Sequence, residues 1–285
     1  MSTDANRVLL IGDDVDNGKT FETEMIQNGQ CLFDQEESNA NVCSDWVNNS
    51  VDTGTKWTIW SHPISNIKWL NVLWLLMLHS AFLSSFVYLF QTPILFYTVV
   101  WSILTSVFSG FGMSVGAHRL WAHQTFKAKW LLRLFLLILQ TMTINGSALS
   151  YARDHRNHHK WPATHADPKN PARGFFFAHI GWWMLRKRPE VLTFGNKVPI
   201  EDLLADRMLM LQHQYYIPLV LFWSFIVPIG VPVFVWNENP FVSLATCIIR
   251  IVVVLHHLFT VNSVAHFWGY RPYNRQVLRC FAPKV

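Results

Sequence analysis

Charge is scarce in this chain: Asp, Glu, Lys and Arg make up 14% of its 285 residues, where a soluble globule carries roughly a quarter. With 51% hydrophobic and 15% aromatic residues, that deficit excludes an ordinary soluble domain as the first class to consider and points to a bilayer. The formal net charge is only +5, and the charges are segregated along the chain, so nothing in the balance argues for nucleic-acid binding. Cysteine is sparse too. Cys31, Cys43, Cys247 and Cys280 lie far apart with no C-x-x-C pair, which excludes a zinc knuckle and a dense disulfide framework and reads as unpaired thiols in a reducing compartment. The first residues lack a basic stretch leading into an apolar core. No cleaved signal peptide is expected, and the first long apolar run is left to do the targeting.

What is present is strongly divided. Residues 1–55 hold eleven Asp or Glu against Arg7 and Lys19 and show no sustained apolar period, the pattern of a disordered acidic tail. Four apolar runs follow, at 69–90, 94–116, 215–236 and 241–261, each long enough to cross a bilayer as a helix of about 20 residues. The connectors "QTP" and "NENP" are short enough to force tight hairpins, and they carry no Lys or Arg. A fifth run at 130–144 is only about 15 residues long and includes Arg133, which favours an interfacial or buried helix. Were it to cross, His118 and His123 would be separated by the membrane from His155, His158 and His159. Residues 117–214 contain 14 of the 23 Lys and Arg, so the positive-inside rule puts this segment in the cytosol with both termini. The expected fold is an all-α membrane protein: four transmembrane helices in two hairpins, with a cytosolic helical domain carrying the histidines.

Thirteen histidines is a high count, and their clustering is more informative than their number. "HRLWAH" supplies His118 and His123 where the second span ends. On an ideal α-helix such a pair is about 140° apart, so both face one centre only if the helix ends or distorts there, and the pair could otherwise straddle two metals. "HRNHH" puts His155, His158 and His159 in a fan about 100° wide, from which all three imidazoles can converge. "NSVAH" places Asn262 and His266 one helical turn apart where the fourth span emerges. His256 and His257, inside that span, read as structural or interfacial, and His62, His79, His165, His179 and His213 as non-ligands. Imidazole suits Zn, Cu, Fe and Ni alike. Five or six imidazoles exceed one tetrahedral zinc site, which favours a binuclear centre, and a greasy body below it favours oxygen chemistry on a lipid chain.

The segments "GAHRLWAH", "ARDHRNHHK", "ADPKNPARGFFFAHIGW", "RKRPEV", "LLADRMLMLQHQYY" and "NSVAHFWGYRPYN" resemble the membrane-bound acyl-CoA desaturases of the stearoyl-CoA Δ9 type, the insect branch above all. The resemblance spans about 56–277, with 278–285 divergent. It implies a multi-pass enzyme of the endoplasmic reticulum membrane that uses O2, a di-iron centre, and electrons from cytochrome b5 and its reductase to put a cis double bond into a saturated fatty acyl-CoA. By resemblance the metal ligands are His118, His123, His155, His158, His159 and His266, with Asn262 acting through a water. The headgroup of CoA falls to Asn71, Arg153, Asp154, Arg186 and Lys187, and the acyl tunnel to Trp182 and, at its bend, Asn145 and Tyr151. Ser106 and Gly110 are small where bulkier residues limit chain length, which implies room for a longer acyl chain.

The departures matter equally. Asn145, Gly146, Ser147 and Tyr151 differ from the family's usual residues near the tunnel bend, Leu70 replaces an arginine, and Phe259 stands where a tryptophan is common. The family's third cluster, H-x-x-H-H, is not found before Val285, from which an incomplete metal site, inactive alone, is expected. The second reading is a non-catalytic desaturase-like membrane protein that binds acyl-CoA or a desaturase partner. A histidine-box hydroxylase ranks below both, because the headgroup pattern remains.

Overall fold

The computed structural model describes residues 64–162 and 164–268. The acidic tail expected over 1–55, the start of the domain expected from 56, and everything from 269 through the divergent end lie outside the described residues. Among the described residues the architecture is all-α, with no strand and one isolated antiparallel bridge between Ile67 and Leu185. The helices that matter here are α1 (Trp69–Gln91), α2 (Phe96–Phe111), α3 (Trp130–Thr141), α4 (Ala148–Lys160), α5 (Arg207–Gln214), α6 (Val227–Trp236), α7 (Pro240–Asn262) and α8 (Val264–Phe267).

Four continuous helical stretches are long and apolar enough to cross a membrane: Trp69–Gln91, Phe96–Ala122, Tyr216–Trp236 and Pro240–Phe267. Their outer faces carry bare apolar side chains, with Phe90 82%, Phe96 74% and Phe234 86% exposed, as a lipid-facing surface requires. α7 is the central helix. Half of its apolar window is buried, against 17–28% for the other three, and it packs on α1, α2 and α6. The second stretch runs past the expected end at 116, because α2 continues into a π-helical segment, Gly112–Ala122.

Two buried ionic side chains hold this apolar body together. Arg250, 2% exposed on α7, donates to the Met142 carbonyl beyond the end of α3 and to the Ser224 carbonyl in the π-helical turn Leu221–Ile226. A π-turn leaves carbonyls off the regular ladder, and in lipid these need an internal donor. Glu238 does the converse on the opposite side. It accepts from the Leu95 N–H (3.1 Å), the Thr98 hydroxyl (2.6 Å) and the Asn239 N–H (2.9 Å), tying the start of α2 to the α6–α7 hairpin. Asn237 takes a left-handed φ of 56°, and Asn239 caps α7 ahead of Pro240, so the "NENP" connector turns within four residues.

α3 has 12 residues, about 18 Å of helix and too short to cross. Its last half is buried, with Leu136, Leu137 and Leu139, while its first half is open, with Trp130 and Leu131 each 62% exposed. A short helix that starts on an apolar surface and ends in the core fits these numbers. It lies so close to the π-segment that a Cβ on Gly112 would run into the Gln140 and Leu139 backbone, and one on Gly116 would lie 3.2 Å from Leu136. The loop after α3 is held by a glutamine pair: Gln140 donates to Gly146 O (2.8 Å), and Gln212 donates to Gln140 (2.6 Å) and accepts from Ala148 N (3.0 Å).

Glu238→Ala would strand three donors in a buried site, and a loss of about 3 kcal/mol is expected. Thermal unfolding in detergent micelles measures it, with Glu238→Gln, which keeps an acceptor, losing less.

Candidate metal centre

α4 begins at Ser147, whose hydroxyl accepts from Ser150 N at 3.2 Å as an N-cap. On its inner side Asn157 donates to the Ala166 and Val191 carbonyls, which fixes the helix against the loops and turns the histidine face toward the π-segment. That face presents His155 and His159 to His118 and His123. One ligand nitrogen from each of the four lies within 4.8 Å of the others, with His118 and His155 half-buried and His123 and His159 exposed.

The pairing of His118 with His123 follows from local winding. In the π-segment the His123 N–H donates to the His118 carbonyl at 2.9 Å, a bond between residues five apart. Such bonds need more than four residues per turn, so residues five apart return to nearly the same face. The two rings sit 4.5 Å apart and share one group instead of straddling two centres. The end of the segment is clamped by Arg156, which donates to the Trp121 and Ala122 carbonyls and pairs bidentately with Asp202 at 2.7 Å on both arms. Hydrogen bonds from Arg156 hold the Asp202 carboxyl below the usual range, against the upward push of burial, and Gln124 adds another at 2.6 Å.

His158 does not converge with its neighbours. Its Nδ1 is 2.8 Å from the Asp167 carboxylate, and its ring lies 5.5 Å both from that of His159 and from that of His266 on α8. Asn262 is the last residue of α7, half-buried, between these two groups in sequence. The expected ligands therefore fall into a group of four, an adjoining pair, and Asn262 nearby.

Electrostatics keeps the central rings in ligand form. Burial, then the charges of Lys169 and the neighbouring histidines, pull His155 down to about 2, and burial with His158 and His123 pulls His159 to about 4. Both are neutral near pH 7, the state in which imidazole binds metal. The Nε2 of His155 lies 3.0 Å from the Nε2 of both His123 and His159. One ring nitrogen cannot serve two nitrogens well by protons alone, whereas a cation between them accepts every lone pair, so this donor set fits a metal.

The expected headgroup residues gather at the start of α1. Asn71 donates to Trp183 O at 2.8 Å, Lys68 N to Met184 O and Arg186 N to Asn66 O, so α1 is laced to the 183–187 segment. Lys187 reaches Asp154 at 3.0 Å, and Arg153 lies 3.5 Å from it. Burial pushes Asp154 up, but these cations outweigh it and leave the carboxyl below its ordinary value. Tyr151, driven up to about 12 by burial, stacks on His155 at 5.4 Å, and Trp182 meets Phe259 edge-on at 6.1 Å. Asn145 is 8% exposed with its Oδ1 unpaired. Ser106 donates to Ser102 O, and a Cβ on Gly110 would meet nothing within 4 Å.

Sequence reading missed four residues and one histidine row. Asp167 was hidden in "ADPKN", although an Asp before Pro is a turn former whose carboxylate stays available. Arg156, Asp202 and Lys169 carried no signal beyond their charge. His79 and His179, read as non-ligands, and His256, read as structural or interfacial, form a hydrogen-bonded row: His79 to His256 at 2.9 Å, His256 to His179 at 3.0 Å, and His179 to Ser263 at 2.8 Å.

Residues 95–280 match the fatty acid desaturase family. The chain belongs to that family. It is 41% identical over 213 residues to the Delta(9)-fatty-acid desaturase fat-6 of Caenorhabditis elegans, covering 74% of this chain and 62% of that one. It is 42% identical over 217 residues to the stearoyl-CoA desaturase of Homo sapiens (75% and 60%), and 41% identical over 212 residues to the acyl-CoA Delta12-desaturase of Acheta domesticus (74% and 59%). The match thus spans about three-fifths of the length of these relatives. As a desaturase-family membrane protein, the chain has a multi-pass body and a histidine group suited to a metal.

Asp167→Asn keeps the turn and removes the charge behind His158. It is expected to weaken metal binding about 10–100-fold with the fold intact, measured by competition against a chelator.

Proposed function

We propose that this desaturase-family chain carries an O2-dependent acyl-CoA desaturase site that introduces a cis double bond into a saturated fatty acyl-CoA. The observation that carries the reading is the convergence of four imidazoles, His118, His123, His155 and His159, beside the His158–His266 pair. In this reading the four hold one iron, and His158, His266 and Asn262, through a water, belong to a second. Bound iron supplies the activation of O2 needed to remove two hydrogens from an unactivated chain, with cytochrome b5 and its reductase as the source of electrons.

The chain's own residues bind and orient. Arg153, Arg186 and Lys187 take the phosphates of CoA, since cationic side chains meet phosphate oxygens through charge-assisted bonds. Asn71 and Asp154 hold the rest of the headgroup. Asn145, Tyr151 and Trp182 wall the acyl path beside the four histidines, and Ser106 and Gly110 leave its far end open to a longer chain. Asp167 fixes the His158 ring, and the Arg156–Asp202 pair fixes the turn that presents His123. Segment 117–214 faces the cytosol from the endoplasmic reticulum membrane, with both termini on that side.

The test is to purify residues 1–285 from a desaturase-deficient auxotroph, count bound iron, and analyse fatty acids. Bound iron is expected, falling by about one per chain in His155→Ala because that ring touches every other member of the group. Unsaturated products or growth without added oleate support catalysis, whereas acyl-CoA binding without iron supports the non-catalytic reading.

A further inference from the structure

Lys169 is a buried cation that the expected site does not use. It lies in the loop between α4 and the turn Pro171–Arg173, 5% exposed. Its backbone N–H donates to Asp167 Oδ1 at 2.9 Å, so the carboxylate that orients His158 also fixes this residue. Its ammonium sits between two aromatic faces, 5.0 Å from the Tyr151 ring centroid and 4.8 Å from that of Trp182. Among the described residues it makes no ion pair; the nearby Asp154 carboxylate is engaged by Lys187 and Arg153.

Ring faces return about 0.5–2 kcal/mol to an ammonium, less than the several kcal/mol that burial takes from it. Burial accordingly pulls Lys169 down to about 8, despite the opposing charges of Asp154 and Asp167. On the same wall the indole Nε1–H of Trp182 is buried with no acceptor. Among the described residues neither this indole N–H nor the ammonium over its ring is seen to bond an acceptor, and a ligand could bring one. The other wall, Tyr151, stacks on His155, so Lys169 is one ring away from the four histidines.

We propose that Lys169 and Trp182 form an acceptor-binding subsite and that Lys169 binds the thioester carbonyl oxygen of an acyl-CoA. The inference rests on the acyl-CoA reading above. A CoA phosphate offers the same kind of acceptor, but the proposed headgroup site already gives phosphates to Arg153, Arg186 and Lys187, and aromatic neighbours suit a planar, uncharged thioester with its first methylenes. Lys169 is then a positioning residue. It breaks no bond; by holding the carbonyl it sets how far the acyl chain reaches relative to the histidines.

The experiment titrates the full chain in detergent micelles with stearoyl-CoA, with S-octadecyl-CoA, a thioether lacking the carbonyl, and with CoA alone. The wild type is expected to prefer the thioester over the thioether by about tenfold, the value of one charge-assisted hydrogen bond. Lys169→Met is expected to lose that preference and keep its CoA affinity, and Lys169→Gln, which retains an N–H donor, to keep part of it. Trp182→Phe, which removes the indole donor and keeps an aromatic face, gives an independent reading if Lys169→Met does not fold, with a few-fold loss of the same preference expected. An unchanged preference in Lys169→Met and Trp182→Phe overturns the assignment, as does an equal loss for CoA and stearoyl-CoA, which would give the ammonium to a phosphate. A wild type that binds stearoyl-CoA without preferring it overturns the subsite alone. One that binds no stearoyl-CoA overturns the acyl-CoA reading as well.

Discussion

The hydrogen bond from the His123 N–H to the His118 carbonyl sets the period on which the metal centre depends. Regular α-winding would carry the two rings to different faces, and the five-residue bond returns them to one. π-winding is not the backbone's own preference, so it persists where the surroundings over-determine it. Here two contacts do so. Gly112 and Gly116 let α3 press against the segment, and the Arg156–Asp202 pair fastens its last carbonyls to α4. The helix that carries His155 and His159 therefore also locks the turn that carries His123, and the two halves of the histidine group hold each other in place.

The membrane body follows the same economy of polar groups. A buried guanidinium and a buried carboxylate are costly in lipid unless their surroundings supply hydrogen-bond partners. Arg250 reaches carbonyls from the end of α3 and from a π-turn, while Glu238 gathers donors from α2 and from the α6–α7 connector. Each joins elements distant in sequence. The end of the bundle near α3 and its opposite end are thus both pinned, and the apolar surfaces between them have only to pack.

Histidines in this protein divide by geometry. In the group of four, the nitrogens of several rings point at one volume, so a cation can satisfy them together. In the row His79–His256–His179, His256 uses one ring nitrogen for each neighbour, so the lone pairs point along a line. A line of imidazoles can share protons but has no common point for a metal. The row instead links α1, α7 and the π-turn Phe177–Gly181, and Ser263 extends it beside Asn262.

Sequence alone determined the class of molecule. Four apolar runs of sufficient length, one basic segment and three histidine-bearing motifs left little freedom in the membrane architecture, because apolar length and charge act locally and can be counted. The short run at 130–144 was legible for the same reason. The site was legible only as a set of candidates. Whether His118 and His123 would meet depended on a change of helical winding that no residue type encodes, and the partner of the His158 ring, Asp167, lies nine residues further on and is brought back by a turn. Lys169 carried no signal in the sequence beyond its charge, and the fold buries it between Tyr151 and Trp182. Burial and the direction of a side chain are set by contacts between segments far apart in sequence, so only the tertiary structure could decide them.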